Sequence, residues 1–176
     1  MQSAKIPVSV DPVKAAAKKL DYEGIADKND LTRLAGMVDA ILEDARVRIS
    51  FFKNESGLNV FEGSVSLKVS MICQRCLERM EIPLEAEFRY TPDVKLVRQL
   101  GLENDFDDAE LNSFGEVLLY DIIEDELILS LPLIAKHPLE ECPARELLES
   151  LSSNETEQER YSPFQALGDL IKSKNN

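Results

Sequence analysis

Along the chain the spacing of apolar positions changes character, and each change marks an element. Asp11 and Pro12 supply an N-cap and a first helical residue for the alanine- and lysine-rich run to Leu20, which predicts a short helix. Leu31, Leu34, Ala35, Val38, Ile41 and Leu42 then recur at i, i+3, i+4 and i+7 behind the capping residues Asn29 and Asp30. That stripe predicts an amphipathic helix lying on a sheet. At Ala45 the period drops to two. Val47, Ile49 and Phe51 alternate with Arg46, Arg48 and Ser50, and a turn around Asn54 to Gly57 leads into Val65, Leu67, Val69 and Met71, which share a face opposite Ser66, Lys68 and Ser70. Met80, Ile82, Leu84, Ala86, Phe88 and Tyr90 then alternate with Arg79, Glu81, Pro83, Glu85, Glu87 and Arg89. The three runs predict an antiparallel meander with one face covered, and Pro83 marks its last strand as an edge.

Beyond the meander, Leu119, Ile123, Leu127 and Leu131, with Leu118 and Ile122 beside them, predict a helix over Val117 to Ser130 that Pro132 stops. A shorter helix is expected from Ala144 to Leu151. The polar run SSNETEQER reads as a linker, and Ser162 and Pro163 cap a last apolar stripe of Phe164, Leu167, Leu170 and Ile171. The expected class is α+β: an antiparallel meander with packed helices, an acidic loop and a tethered C-terminal helix. Residues 1–151 are expected to form a single domain, 152–160 a flexible linker and 161–176 an anchor helix and tail.

Charge changes this picture in one region. The chain of 176 residues carries a formal net charge of −13, which disfavours a polybasic clamp on phosphate backbones. Residues 101–126 hold ten acids and no Lys or Arg. Glu103, Asp105, Asp107, Asp108 and Glu110 in that block can be a solvated loop, or can hold a basic protein through a complementary field. On the meander, Arg46, Arg48, Lys68, Arg75 and Arg79 are candidates for contact with a few phosphates, although charges alternating on an open strand face also serve solvation. No apolar run is long enough to span a bilayer, and the first residues lack the layout of a signal peptide. A cytoplasmic protein is expected, with no membrane and no small-molecule substrate.

The soft ligands fall into two pairs. Cys73 and Cys76 form a C-x-x-C in the turn between the second and third strands of the meander, and the sole histidine, His137, lies five residues from the remaining cysteine, Cys142. Together they make a Cys3His set, the stoichiometry of a closed structural zinc site. Ordinary structural thiols also fit. A thioredoxin-type exchange centre fits less well, because its first thiol sits at a helix N-terminus, where the helix dipole lowers its pKa. No phosphate-loop, dinucleotide, zinc-protease or nucleophile-elbow motif is present, so no enzymatic activity is expected.

Taken together, the motifs resemble those of the YceD family, known as the large ribosomal RNA subunit accumulation protein. The resemblance is carried by Pro7, Asp11, Pro12, Leu20, Asp21, Tyr22, Gly24 and Ile25 at the start, and by Cys73-Gln74-Arg75-Cys76. It continues through Asn112, Phe114, Gly115 and Glu116, then Glu124-Asp125-Glu126 with Leu127-Ile128-Leu129 and Leu131-Pro132. His137 and Cys142, and finally Pro163-Phe164 with Leu167, complete it. It implies a bacterial cytoplasmic factor that supports synthesis, processing or stability of 23S ribosomal RNA without catalysis. The partner would be that RNA, a basic ribosomal protein or an assembly factor. A C-x-x-C thiol oxidoreductase and a protein adaptor without RNA contact are the alternatives.

Overall fold

A computed structural model describes residues 5–153. The expected linker and C-terminal anchor helix lie almost wholly outside the described residues. The chain divides into two compact units, residues up to Lys136 and residues from His137.

In the first unit, β1 (Ser9–Val10) leads into α1 (Pro12–Lys18). The Asp11 carboxylate accepts from the Lys14 N–H at 2.9 Å, and Lys19 closes the helix in the left-handed region. β2 (Asp21–Ala26), a turn of 3-10 helix, α2 (Thr32–Ala35) and β3 (Ala40–Ile41) follow. Then come the long strands β4 (Ala45–Lys53), β5 (Asn59–Ile72) and β6 (Arg79–Thr91), α3 (Val94–Leu100), β7 (Asp107–Asp108), β8 (Val117–Leu118) and α4 (Leu119–Leu129). The main sheet runs β2-β4-β5-β6-β7. It is antiparallel except where β7 joins β6, and β3 pairs with β5 off this path. β1 and β8 form a separate antiparallel pair. This is the expected α+β meander.

Period-two alternation sorts the strands. Val47, Ile49, Phe51, Phe61, Val65, Leu67, Val69, Leu84 and Phe88 face one core with Leu119, Ile123 and Leu127 of α4 and Ala15 and Ala16 of α1. Gly63 is needed at the centre, because a Cβ there would lie 2.2 Å from the Arg48 carbonyl and 2.7 Å from the Phe88 ring. An aromatic series Tyr22, Phe51, Phe61 and Tyr90 crosses the strands with ring centroids 5.2–5.9 Å apart.

Three expectations change. The stripe from Leu31 to Leu42 is helical only over Thr32–Ala35, with Gly36 at its C-cap. Val38 and Ile41 still reach the core, but from a turn and from β3. Apolar spacing alone does not tell a four-residue helix followed by a strand from one long helix. The sheet is also covered on part of its second face, where Leu58, Val60 and Val97 form a small separate core with Phe52, Leu96, Leu102 and Phe106. The outer half of the alternation is apolar there. The predicted helix from Val117 begins at Leu119, because Val117 and Leu118 pair with β1. β2 and α3 had no expectation: Gly24 and flanking acids mask the first, and α3 has only seven residues.

In the second unit a 3-10 turn over Leu139–Glu141 precedes α5 (Arg145–Ser153), where Arg145 pairs with Glu149 at 2.7 Å. No helix among the described residues is long and apolar enough to cross a membrane.

Candidate functional site

The hairpin between β5 and β6 presents the C-x-x-C. The Cys73 N–H donates to the Glu78 carbonyl at 2.8 Å, and the Leu77 N–H donates to the Cys73 carbonyl at 2.9 Å. Leu77 takes a positive φ of 63° to close the turn. Gln74 donates its N–H to the carbonyl of the buried Ala135 at 2.8 Å, which ties the turn to the segment that follows α4. Chain continuity delivers His137 two residues later. Cys142 ends the 3-10 turn, its N–H bound to the Leu139 carbonyl at 3.3 Å, and its own carbonyl accepts from the Arg145 N–H.

None of the three cysteines is in a disulfide; Cys73 and Cys142 are buried and Cys76 is half-buried. Cys73, Cys76, His137 and Cys142 form a Cys3His group that can hold a metal ion, their ligand atoms lying within 4.8 Å of one another. A tetrahedron with bonds of about 2.3 Å has edges of about 3.8 Å, so the separation fits, and three sulfurs with an imidazole are the donor set zinc prefers.

The acidic loop is pinned rather than free. Leu102 and Phe106 pack on the small second core, and Ala109 is buried in the main one with its N–H on the Thr91 carbonyl at 2.9 Å. Around these anchors Glu103, Asp105, Asp107, Asp108 and Glu110 are all exposed. None of the five is in an ion pair among those formed by the described residues. Asp108 and Glu110 share a groove of about 700 Å³ with Asp121 and Asp125 of α4, Arg33, Tyr90 and Leu111.

The candidate RNA contacts behave differently. Arg46, Arg48 and Lys68 lie on the open face of the meander with Arg79 at its turn end. Each has an acid: Arg46 with Glu43 at 3.3 Å, Arg48 with Glu23 at 3.0 Å, Lys68 with Glu81 at 3.5 Å and Arg79 with Asp39 at 3.0 Å. Arg75 is half-buried in the cysteine turn, away from that row.

One charged cluster had no expectation attached to it. Glu124 of α4 is 5% exposed, and its Oε1 accepts the backbone N–H groups of Arg33 at 2.7 Å and Leu34 at 3.1 Å. Its Oε2 accepts Arg33 Nε at 2.9 Å, while Arg33 Nη1 donates to Asp125 at 2.6 Å and Nη2 to the Asp121 carbonyl at 2.9 Å. A distant carboxylate thereby caps α2, which has no side-chain cap of its own. Hydrogen bonds to Glu124 and then Asp125 raise the Arg33 pKa further. The readable signal was Glu124 four residues after Tyr120 and three before Leu127, an acid on a buried helix face. Nearby, Tyr90 donates to Glu126 at 2.7 Å. Burial pushes the Glu126 carboxyl above its usual range, opposed by that hydrogen bond and helped by Asp107 and Asp125. Burial and the Glu126 bond raise Tyr90 as well.

Fold and group together define a small α+β protein in which a hairpin turn supplies half of a Cys3His set and a pinned loop carries exposed negative charge. A family model described as "Large ribosomal RNA subunit accumulation protein YceD" matches residues 61–171. A curated protein of that name from Haemophilus influenzae is 42% identical over 142 residues, covering 81% of this chain and 82% of the relative. The chain belongs to the YceD family. No solved structure matches it.

Proposed function

We propose that this protein is a non-catalytic, cytoplasmic factor that supports accumulation of 23S ribosomal RNA by holding a basic protein of the early large subunit. The family description and the name of the Haemophilus relative support the large-subunit role. The observation that carries the mode of action is the row Glu103, Asp105, Asp107, Asp108 and Glu110, exposed on a loop anchored at Leu102, Phe106 and Ala109. Carboxylates that form no ion pair among the described residues leave a field that speeds encounter with a basic surface. RNA contact by Arg46, Arg48, Lys68, Arg75 and Arg79 is the secondary element, since Arg46, Arg48, Lys68 and Arg79 must exchange intramolecular carboxylates for phosphate and Arg75 is half-buried. The test is affinity capture from growing cells, with the bound proteins and RNA identified, and comparison with a chain carrying all five loop acids as Asn or Gln. Loss of a salt-sensitive protein partner is expected. An unchanged partner set and salt slope would make the loop mere solvation.

In the same reading the Cys3His group is a structural zinc site. Four protein ligands close the tetrahedron and leave no position for an activated water. Metal analysis of protein purified without chelator should find about one zinc per chain, lost with Cys142→Ser, together with a lowered melting temperature. No metal and an unchanged melting temperature would remove the assignment. Thiol exchange is disfavoured because Cys73 directly follows a strand, with its N–H committed to the Glu78 carbonyl, rather than opening a helix.

A further inference from the structure

The sheet has two outer strands, and they are finished differently. The edge of β2 is partly covered by the chain's own start, with Ile6 donating its N–H to the Ile25 carbonyl at 3.1 Å and Lys5 bridging Ile25. On the other side β7 pairs with β6 only at Tyr90 and Thr91. From Arg79 to Arg89 the outer edge of β6 has no partner strand among the described residues.

Which backbone groups point outward follows from two observations. Thr91 gives its carbonyl to Ala109, on the β7 side, whereas Glu78 gives its carbonyl back to Cys73 on the β5 side. Odd-numbered residues of β6 therefore direct N–H and C=O to the open edge. Pro83, also odd, has no N–H to give, so its place costs the β5 ladder nothing. Among the described residues nothing accepts the N–H groups that Glu81, Glu85, Glu87 and Arg89 direct there. The side chains of Glu81, Glu85 and Glu87 are exposed on the open face, and on the opposite face Ile82 and Ala86 are half-buried at the margin of the main core.

Bare edges invite pairing, and proteins blunt them with charge and proline. Here the charge is of one sign along the middle of the strand, so a second copy of β6 is repelled, while a strand of opposite charge meets three carboxylates in register, Glu81 exchanging its 3.5 Å pair with Lys68 for the incoming cation. We infer that the open edge of β6 is a strand-addition site for an extended segment of a basic protein that alternates Lys or Arg with apolar residues. Its basic side chains would face Glu81, Glu85 and Glu87, its apolar ones would extend the core past Ile82 and Ala86, and its main chain would bond the free N–H and C=O groups. The inference rests on the reading that the partner is a basic protein and adds how that partner is gripped.

The probe is an eleven-residue peptide of alternating Lys and Val, compared with the same peptide N-methylated at alternate residues, against the full chain labelled with 15N. In the free protein the amides of Glu81, Glu85 and Glu87 should exchange quickly and those of Ile82, Leu84 and Ala86 slowly. Peptide binding should slow the first set at least roughly tenfold, and N-methylation on the pairing edge should weaken binding about five- to tenfold, the size of one or two lost hydrogen bonds. Glu85→Pro, which removes a donor from the open edge only, should weaken it similarly. Equal binding of the N-methylated peptide, or binding without slowed exchange, overturns strand addition and leaves docking by charge intact. Binding of neither peptide at low salt overturns both. Slowed exchange that survives neutralisation of the five loop acids supports the edge and removes the loop from the interface.

Discussion

The block 101–126 is one acidic run in the sequence but two different regions in space. In the loop, Glu103, Asp105, Asp107, Asp108 and Glu110 are exposed and form no ion pair among the described residues. On α4, less than twenty residues on, Glu124 is buried and every oxygen is bound, by two backbone N–H groups and the Arg33 guanidinium. The first arrangement leaves a field for something else to neutralise. The second spends its charge on joining two elements of the same fold. Linear charge density cannot separate these cases; what separates them is whether an acid shares a helix face with leucines.

Substitutions should break the comparison in a definite order. Glu124→Ala strands two helix N–H groups and leaves Arg33 only Asp125 and the Asp121 carbonyl, and should cost about 3 kcal/mol in urea unfolding. Arg33→Ala leaves Glu124 with its two backbone donors, and because the Arg33 side chain is 47% exposed the loss should be only about 1 kcal/mol. If the two variants cost the same, the cap is not what Glu124 provides. Glu126→Gln should act in the opposite direction. Burial raises the folded-state pKa of Glu126, so the ionised carboxylate is penalised at neutral pH, and that penalty fades as pH falls through the raised folded value towards the unfolded one. The amide keeps an acceptor for Tyr90 and should raise Tm by roughly 1–2 °C at pH 7, with no gain in acid. A gain of equal size at both pH values would show that burial of charge is not its origin. Least of all, neutralising Glu103, Asp105, Asp107, Asp108 and Glu110 together should change stability by no more than about 0.5 kcal/mol. It should still flatten the salt dependence of partner binding. A large loss of stability would make the loop acids part of the fold.

Much of this architecture is written in local pattern. The meander, the turn at Gly57, the cysteine hairpin and the Asp11 cap follow from period two, turn chemistry and a capping acid, and all are found where they were expected. The four soft ligands were readable because the chain has so few of them. What was not readable depends on pairing at long range. Thr32–Ala35 is a helix because a carboxylate from α4 ends it at one side and Gly36 at the other. β2 exists because β4 offers it a ladder from Ala45 to Ser50, against the weak strand propensity of DYEGIA. The bare edge of β6 was foreshadowed by Pro83, but its length depends on β7 being only two residues long.

The distance in sequence between α2 and its cap sets an order of events. The Arg33 N–H and the Glu124 carboxylate are 91 residues apart. Chain synthesis at about 5–20 residues per second separates the two by roughly 5 to 18 s. During that interval the strands can pair, but the inner face of the sheet lacks the leucines of α4 and the first turn of α2 lacks its acceptor. A nascent chain stalled before Leu119 should therefore show protease-sensitive bonds around Thr32 to Gly36, and become resistant there only when α4 has emerged.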